Sequence, residues 1–134
     1  MRNTARWVRG MIGLLGLAAA TAAFAQAYPT RPIRLVVPFP PGVAVDFFAR
    51  AVQEPLSEAL GQQVIIENKA GASGMVGAEM VAKSPPDGYT LLLGNIASLA
   101  INVGIYPKMA YDPLKDFTPI VRTVDVNYVL VVHP

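Results

Sequence analysis

Three times in this chain a short apolar run of strand character gives way to a loop of small residues, and each loop opens a helix-like stretch. The runs are Ile33–Val37, Val64–Ile66 and Leu91–Leu93, and their loops span Pro38–Asp46, Ala70–Gly74 and Gly94–Ser98. Strands that alternate with helices predict a parallel sheet, because parallel neighbours can be joined only by a crossover. Parallel sheets take their ligands beyond the carboxyl ends of the strands, so the three loops are expected along one rim. Backbone N–H groups at helix starts carry partial positive charge, and such a rim suits a small anion such as a carboxylate.

The first residues are set apart from this pattern. Arg2, Arg6 and Arg9 make a basic start, Met11 to Ala20 is uninterrupted apolar or glycine sequence, and Ala23-Phe24-Ala25 has the small-x-small form of a cleavage site. The succession reads as a secretory signal peptide over residues 1–25, with Ala25-Gln26-Ala27 as a second cleavage choice. As a membrane anchor the stretch falls short of the roughly 18 or more residues that a spanning helix needs. Three of the eleven basic side chains belong to this leader. The rest of the chain, with nine acidic side chains, is close to neutral and offers no basic stripe for nucleic acid.

There is no cysteine, which excludes disulfides, thiolate metal sites and a lipid-modified cysteine after the leader. The product is therefore expected to be soluble in the bacterial periplasm. The single histidine, His133, lies next to the last residue and has no second histidine with which to build a metal or acid-base site. No metal and no cofactor are expected.

Along the body, Phe48, Val52, Leu56, Ala59 and Leu60 form one helical stripe that ends at Gly61. Pro55 interrupts the stripe and predicts a kink or a shortened first half. Gln63–Asn68 reads as a second strand, Gly74–Ser84 as a helix, Pro85-Pro86-Asp87-Gly88 as a turn and Tyr89–Leu93 as a third strand. A short helix is expected over Ala97–Ile105 and one helical turn within Tyr111–Phe117. Pro119–Thr123 and Tyr128–Val132 read as further strands, the last with nothing after it to cover its other face.

Several motifs fail on inspection. Gly71, Gly74 and Gly77 give G-x-x-G-x-x-G, whereas a dinucleotide fingerprint needs G-x-G-x-x-G after the first strand. The stretch Gly77–Ser84 imitates a phosphate loop but has alanine before Lys83, and two prolines follow where a helix should start. No G-x-S-x-G elbow occurs, and no Ser-His-acid set can be assembled. Asp46, Glu67 and Glu79 stand singly, as caps or surface charges. No catalytic residue is assigned. Of the three, Asp46 lies at a helix start, where an acid favours the macrodipole and can brace the loop over residues 38–45.

In order along the chain come Tyr28-Pro29-x-Arg31-Pro32-Ile33-Arg34, then Val37-Pro38-Phe39-Pro40-Pro41-Gly42 with Asp46 and Ala49-Arg50, then Leu60-Gly61-Gln62-x-Val64-x-x-Glu67-Asn68. Gly77-Ala78-Glu79, Pro85-Pro86-Asp87-Gly88-Tyr89-Thr90-Leu91-Leu92 and Tyr111-Asp112-Pro113-Leu114-Lys115-Asp116-Phe117 follow. Taken together, this succession resembles the substrate-binding proteins of tripartite tricarboxylate transporters, the Bug receptors. The resemblance implies an α/β, periplasmic binding protein-like fold that closes two domains over a carboxylate, with essentially only the first α/β domain present here. On that reading residues 26–125 are the first domain and residues 126–134 begin the crossover to a second. It implies a small carboxylate as ligand and membrane transporter subunits as partners of the complete protein. The ligand-binding residues carried over are Gly42, Val43 and Asp46 in the first loop, Gly71, Ala72, Ser73 and Gly74 in the second, and Asn95 and Ser98 in the third.

At one position the chain departs from the family, which has two adjacent glycines after the proline pair. The second is Val43 here, and a β-branched residue is poorly tolerated if that position needs φ > 0. Its side chain would also take up space near a carboxylate. Two rival readings stand beside the receptor. One is an α/β enzyme domain that binds a phosphorylated or carboxylated substrate at the same rim, which lacks a placed general base. The other is a non-functional receptor remnant.

Overall fold

A computed structural model of the chain describes residues 28–125 and Val131. The leader expected over residues 1–25, most of the strand expected over Tyr128–Val132, and His133 lie outside the described residues. Three strands, β1 (Ile33–Val37), β2 (Val64–Asn68) and β3 (Thr90–Leu92), form one parallel sheet in the order β2-β1-β3. Ile33 pairs with Val64, and Leu35 pairs with Ile66 on one side and Leu91 on the other. Helix α1 (Ala44–Leu60) connects β1 to β2, and α2 (Met75–Ala82) connects β2 to β3. The first crossover runs outward from β1 to β2 and the second back from β2 across β1 to β3, so with the right-handed connection such units adopt the two helices cover opposite faces. β1 is accordingly buried on both faces, with Val36 and Val37 each fully inaccessible.

On the α1 face, Ala49, Val45, Phe48, Leu56 and Leu60 pack against Leu35, Val37, Val64 and Leu93. Phe48, Leu56 and Leu60 of the predicted stripe pack here, joined by Val45 and Ala49, whereas Ala59 is exposed. Gly61 closes the helix in a left-handed conformation at φ 65°, as a C-terminal glycine does. Pro55 neither shortens the helix nor divides it, in contrast to one of the two expectations, because α1 is continuous over 17 residues. Anchoring on both sides of the proline offsets the lost bond. Phe48 packs before it, Leu56 and Leu60 pack after it, and Gln53 and Ser57 tie the helix to the first residue of β2. Gln53 Nε2 donates to the Val64 carbonyl at 2.8 Å, and the Val64 amide donates to Ser57 Oγ at 2.9 Å.

Helix α2 lies close enough to the first loop that a Cβ on Gly77 would come within 2.9 Å of the Lys69 carbonyl and of Pro38. At the amino ends of the strands the lead-in is fastened to the turn before β3. Tyr28 Oη donates to the Gly88 carbonyl at 2.7 Å, Arg31 pairs with Asp87 at 2.7 Å, and the Arg31 guanidinium lies 4.1 Å from the centre of the Tyr89 ring. The carboxyl edge is left to the three loops.

Two expectations about local structure need correction. The short helix after β3 begins as a π turn (Ala97–Ile101) and becomes α-helical only at α3 (Asn102–Ile105). Pro119–Thr123 is not a strand. Ile120 and Val121 are 77% and 74% exposed, and the segment joins no ladder among the described residues, so its β-branched composition has no partner to act on. The expected turn in Tyr111–Phe117 is present: the Lys115 and Asp116 amides both donate to the Asp112 carbonyl.

Candidate functional site

The first loop leaves β1 through Pro38 and reverses at Gly42, which has φ +86°. Val43, at φ −89° and ψ 165°, is extended. The conflict expected from a valine in place of the family's second glycine therefore does not arise, since only Gly42 needs the left-handed region. Val43 precedes α1 without a side-chain cap, and among the described residues the amides of Val43, Ala44 and Val45 meet no acceptor. These N–H groups carry the positive end of a 17-residue helix toward solvent.

Asp46 lies in the first turn of α1 and is 1% exposed. Its Oδ2 accepts from the Gly42 amide and from Arg50 Nε, each at 2.9 Å, and its Oδ1 accepts from Asn68 Nδ2 at 2.9 Å. The same Asn68 amide group donates to the Phe39 carbonyl at 3.1 Å. Arg50 beside it, the Gly42 N–H and Asn68 together hold the Asp46 carboxyl down at about 2. Both oxygens face protein donors, so Asp46 braces the loop and the end of β2 and does not project into the rim. The brace is the role its place at a helix start suggested.

The second loop has an unusual backbone. Ala72, Ser73 and Gly74 are consecutively left-handed, at φ 46°, 53° and 86°, after Gly71 at φ 143°. The Gly74 amide donates to the Gly71 carbonyl at 2.9 Å and the Ser73 carbonyl accepts from Asn102 Nδ2 at 3.1 Å. Among the described residues the Ala72 and Ser73 amides meet no acceptor. In the third loop Asn95 caps the turn that follows: its Oδ1 accepts from the Ser98 amide at 3.0 Å, and Ser98 Oγ bonds back to Asn95. Ser98 is fully buried, and its hydroxyl serves this loop.

All three loops meet at Gly74. A Cβ there would lie 3.2 Å from Phe39 Cζ of the first loop and 3.2 Å from Ser98 Cβ of the third. The nine residues singled out from sequence thus gather at one edge but divide by role. Gly42, Val43, Gly71, Ala72 and Ser73 are exposed there. Asp46, Gly74 and Ser98 are buried supports, and Asn95 is a cap. Sequence reasoning missed Phe39, Asn68, Asn102 and Tyr111 as parts of the site. For Asn102 a signal existed: it is a polar residue of weak helix propensity between Ile101 and Val103. No group of three or more metal-ligating side chains occurs among the described residues.

Comparison with known proteins adds an independent line. The sequence profile of the family described as tripartite tricarboxylate transporter family receptor matches residues 48–134. Protein BugT of Bordetella pertussis is 42% identical over 130 residues, covering 92% of this chain and 40% of its own. A UPF0065 protein from the tcbD-tcbE intergenic region of Pseudomonas sp. strain P51 is 46% identical over 107 residues, or 80% of this chain and 32% of its own. Among solved structures, MatC from Rhodopseudomonas palustris with bound malate superposes with a TM-score of 0.66 at 42% identity, over 69% of this chain and 31% of that one. A second R. palustris protein, with adipate, gives 0.62 at 42% identity, over 70% and 31%. The chain spans two fifths or less of the length of each of these relatives.

Proposed function

The chain belongs to the tripartite tricarboxylate transporter receptor family, and on that premise we propose that it forms one wall of a small-carboxylate site in an extracytoplasmic solute-binding protein. The observation that carries the reading is the meeting of the three loops at Gly74, with the amides of Val43–Val45 and Ala72–Ser73, which meet no acceptor among the described residues, on the same edge. Two sets of N–H groups, one of them at a helix start, give a carboxylate charge-assisted donors without a fixed counter-charge. The relatives are more than twice as long, and on this reading the further length supplies the opposing wall. Malate and adipate, bound by two structural neighbours, define the ligand class to test.

On this reading the protein is exported by its leader, works in the periplasm and hands its ligand to membrane transporter subunits. It binds and does not catalyse: Asp46, the one buried carboxylate among the described residues, is engaged by three donors and has no proton-transfer task. One wall leaves a bound acid in contact with water, so affinity for this chain should be weak, of millimolar order, about −4 kcal/mol.

Thermal unfolding tests the proposal through mass action, since a ligand that binds only the folded state raises the melting temperature. Adipate at about ten times a millimolar Kd should stabilise by ~1.4 kcal/mol. Hexane-1,6-diol and chloride at matched ionic strength should not. Equal stabilisation by chloride would reduce the effect to general salt screening and defeat the proposal.

A further inference from the structure

The left-handed run in the second loop is not self-supporting. Ala72 and Ser73 are not glycines, and each L-residue in that region costs about 1–2 kcal/mol, so the surroundings must impose the conformation. The only side chain among the described residues that bonds the backbone of this run is Asn102, whose Nδ2 donates to the Ser73 carbonyl while the residue is 2% exposed.

Asn102 reaches that carbonyl because of the π turn before it. In a continuous α-helix its amide would donate four residues back, to Ser98. Here it donates five residues back, to the Ala97 carbonyl. The Ser98 carbonyl is thereby released inside the protein, where an unmatched acceptor is costly, and it is taken by the hydroxyl of Tyr111. Tyr111 is 5% exposed and is set edge-on to Phe117, with ring centres 5.7 Å apart. Burial pushes its phenol above the ordinary tyrosine range, so it stays a neutral donor. A π turn inserted in a helix frequently marks a functional position.

We propose that Tyr111 and Asn102 are positioning residues for the anion rim: the Tyr111 hydroxyl fixes the π turn, and the π turn sets Asn102 against the Ser73 carbonyl. That contact holds the Ala72 and Ser73 amides in their left-handed arrangement. The relay rests on the carboxylate reading for its purpose, but its geometry can be tested without any ligand. In Tyr111→Phe the turn can relax to α-helical bonding, with the Asn102 amide moving to the Ser98 carbonyl, and Asn102 loses its register with Ser73.

The test is solution NMR on the whole chain, free and with malate. In the free protein, Tyr111→Phe should shift the backbone resonances of Ala72 and Ser73 and the side-chain amide of Asn102, leaving β1 and β2 unchanged. The malate dissociation constant, read from the Val43–Val45 amides, should rise about fivefold, the equivalent of one ordinary hydrogen bond. Rescue separates positioning from simple packing. In a Ser73→Gly background, where glycine takes φ > 0 unaided, Tyr111→Phe should cost clearly less. Unchanged Ala72 and Ser73 signals in folded Tyr111→Phe, or an equal cost in both backgrounds, would overturn the relay. If Tyr111→Phe does not fold, Asn102→Ala is read by the same signals with the same two outcomes. A wild-type chain that ignores malate would count against the carboxylate reading instead, because the free-protein signals report on the relay alone.

Discussion

Asp46 shows how one side chain can set the shape of a rim without meeting a ligand. Its carboxyl collects the Gly42 amide, Arg50 and Asn68, joining the loop after β1 to the last residue of β2. The acid at a helix start was legible in the sequence, whereas Asn68 was not, since nothing local says that a strand-end amide will bridge two loops. An ordinary aspartate titrates near 3.8 and this one near 2. Below 3.8 the unfolded chain therefore takes up a proton that the folded chain still refuses, and stability is lost as pH falls through that interval. Chemical denaturation between pH 5 and pH 2 should show this loss, and Asp46→Asn should flatten it while lowering the melting temperature by roughly 4–8 °C. A pH profile identical in wild type and variant would contradict the brace. Val43 teaches the opposite lesson. A family pattern gave the residue type, but only the backbone told which of the two positions needs glycine. Gly42→Ala at φ +86° should destabilise by about 1–2 kcal/mol, whereas Val43→Gly should cost about 0.5–1 kcal/mol through unfolded-state entropy. Denaturant midpoints would settle the order, and a larger loss from Val43→Gly would reverse the assignment.

Among the elements, β1, α1 and β2 were readable almost to their ends, because short apolar runs and a period-3.6 stripe there coincide with burial and a glycine stop. Pro55 was read too strongly, since the cost of an interior proline is set against packing on both sides of it. The π turn could not be read at all, because its stability depends on the Tyr111 hydroxyl, thirteen residues from Ser98. Pro119–Thr123 has strand-like composition without a neighbouring edge, and composition cannot report a missing neighbour. The close approach of α2 to the first loop is likewise invisible until the backbone is seen. Gly77→Ala would bring a methyl group against the Lys69 carbonyl and Pro38 backbone at 2.9 Å. It should destabilise by about 1–3 kcal/mol despite the better helix propensity of alanine. A stabilised Gly77→Ala in thermal melts would mean that α2 can move away from the rim freely.

For the molecule as a whole, the parallel order β2-β1-β3 takes the chain from β1 outward to β2 and then back across β1 to β3, and this reversal of strand order opens a crevice at the carboxyl edge where sheets of this class take ligands. The relatives that share this sheet are more than twice as long, and the described residues leave Phe47, Ile101, Val103 and Ile105 about half exposed or more. The central claim is that the crevice edge receives a carboxylate on backbone amides. The most direct measurement is a ¹H–¹⁵N titration of the chain with malate or adipate to tens of millimolar at constant ionic strength. Saturable shifts at Val43, Ala44, Val45, Ala72 and Ser73, absent with the uncharged dimethyl esters, are the predicted result. Shifts that stay unsaturated, spread over the surface lysines and arginines, or leave those five amides unmoved would contradict it.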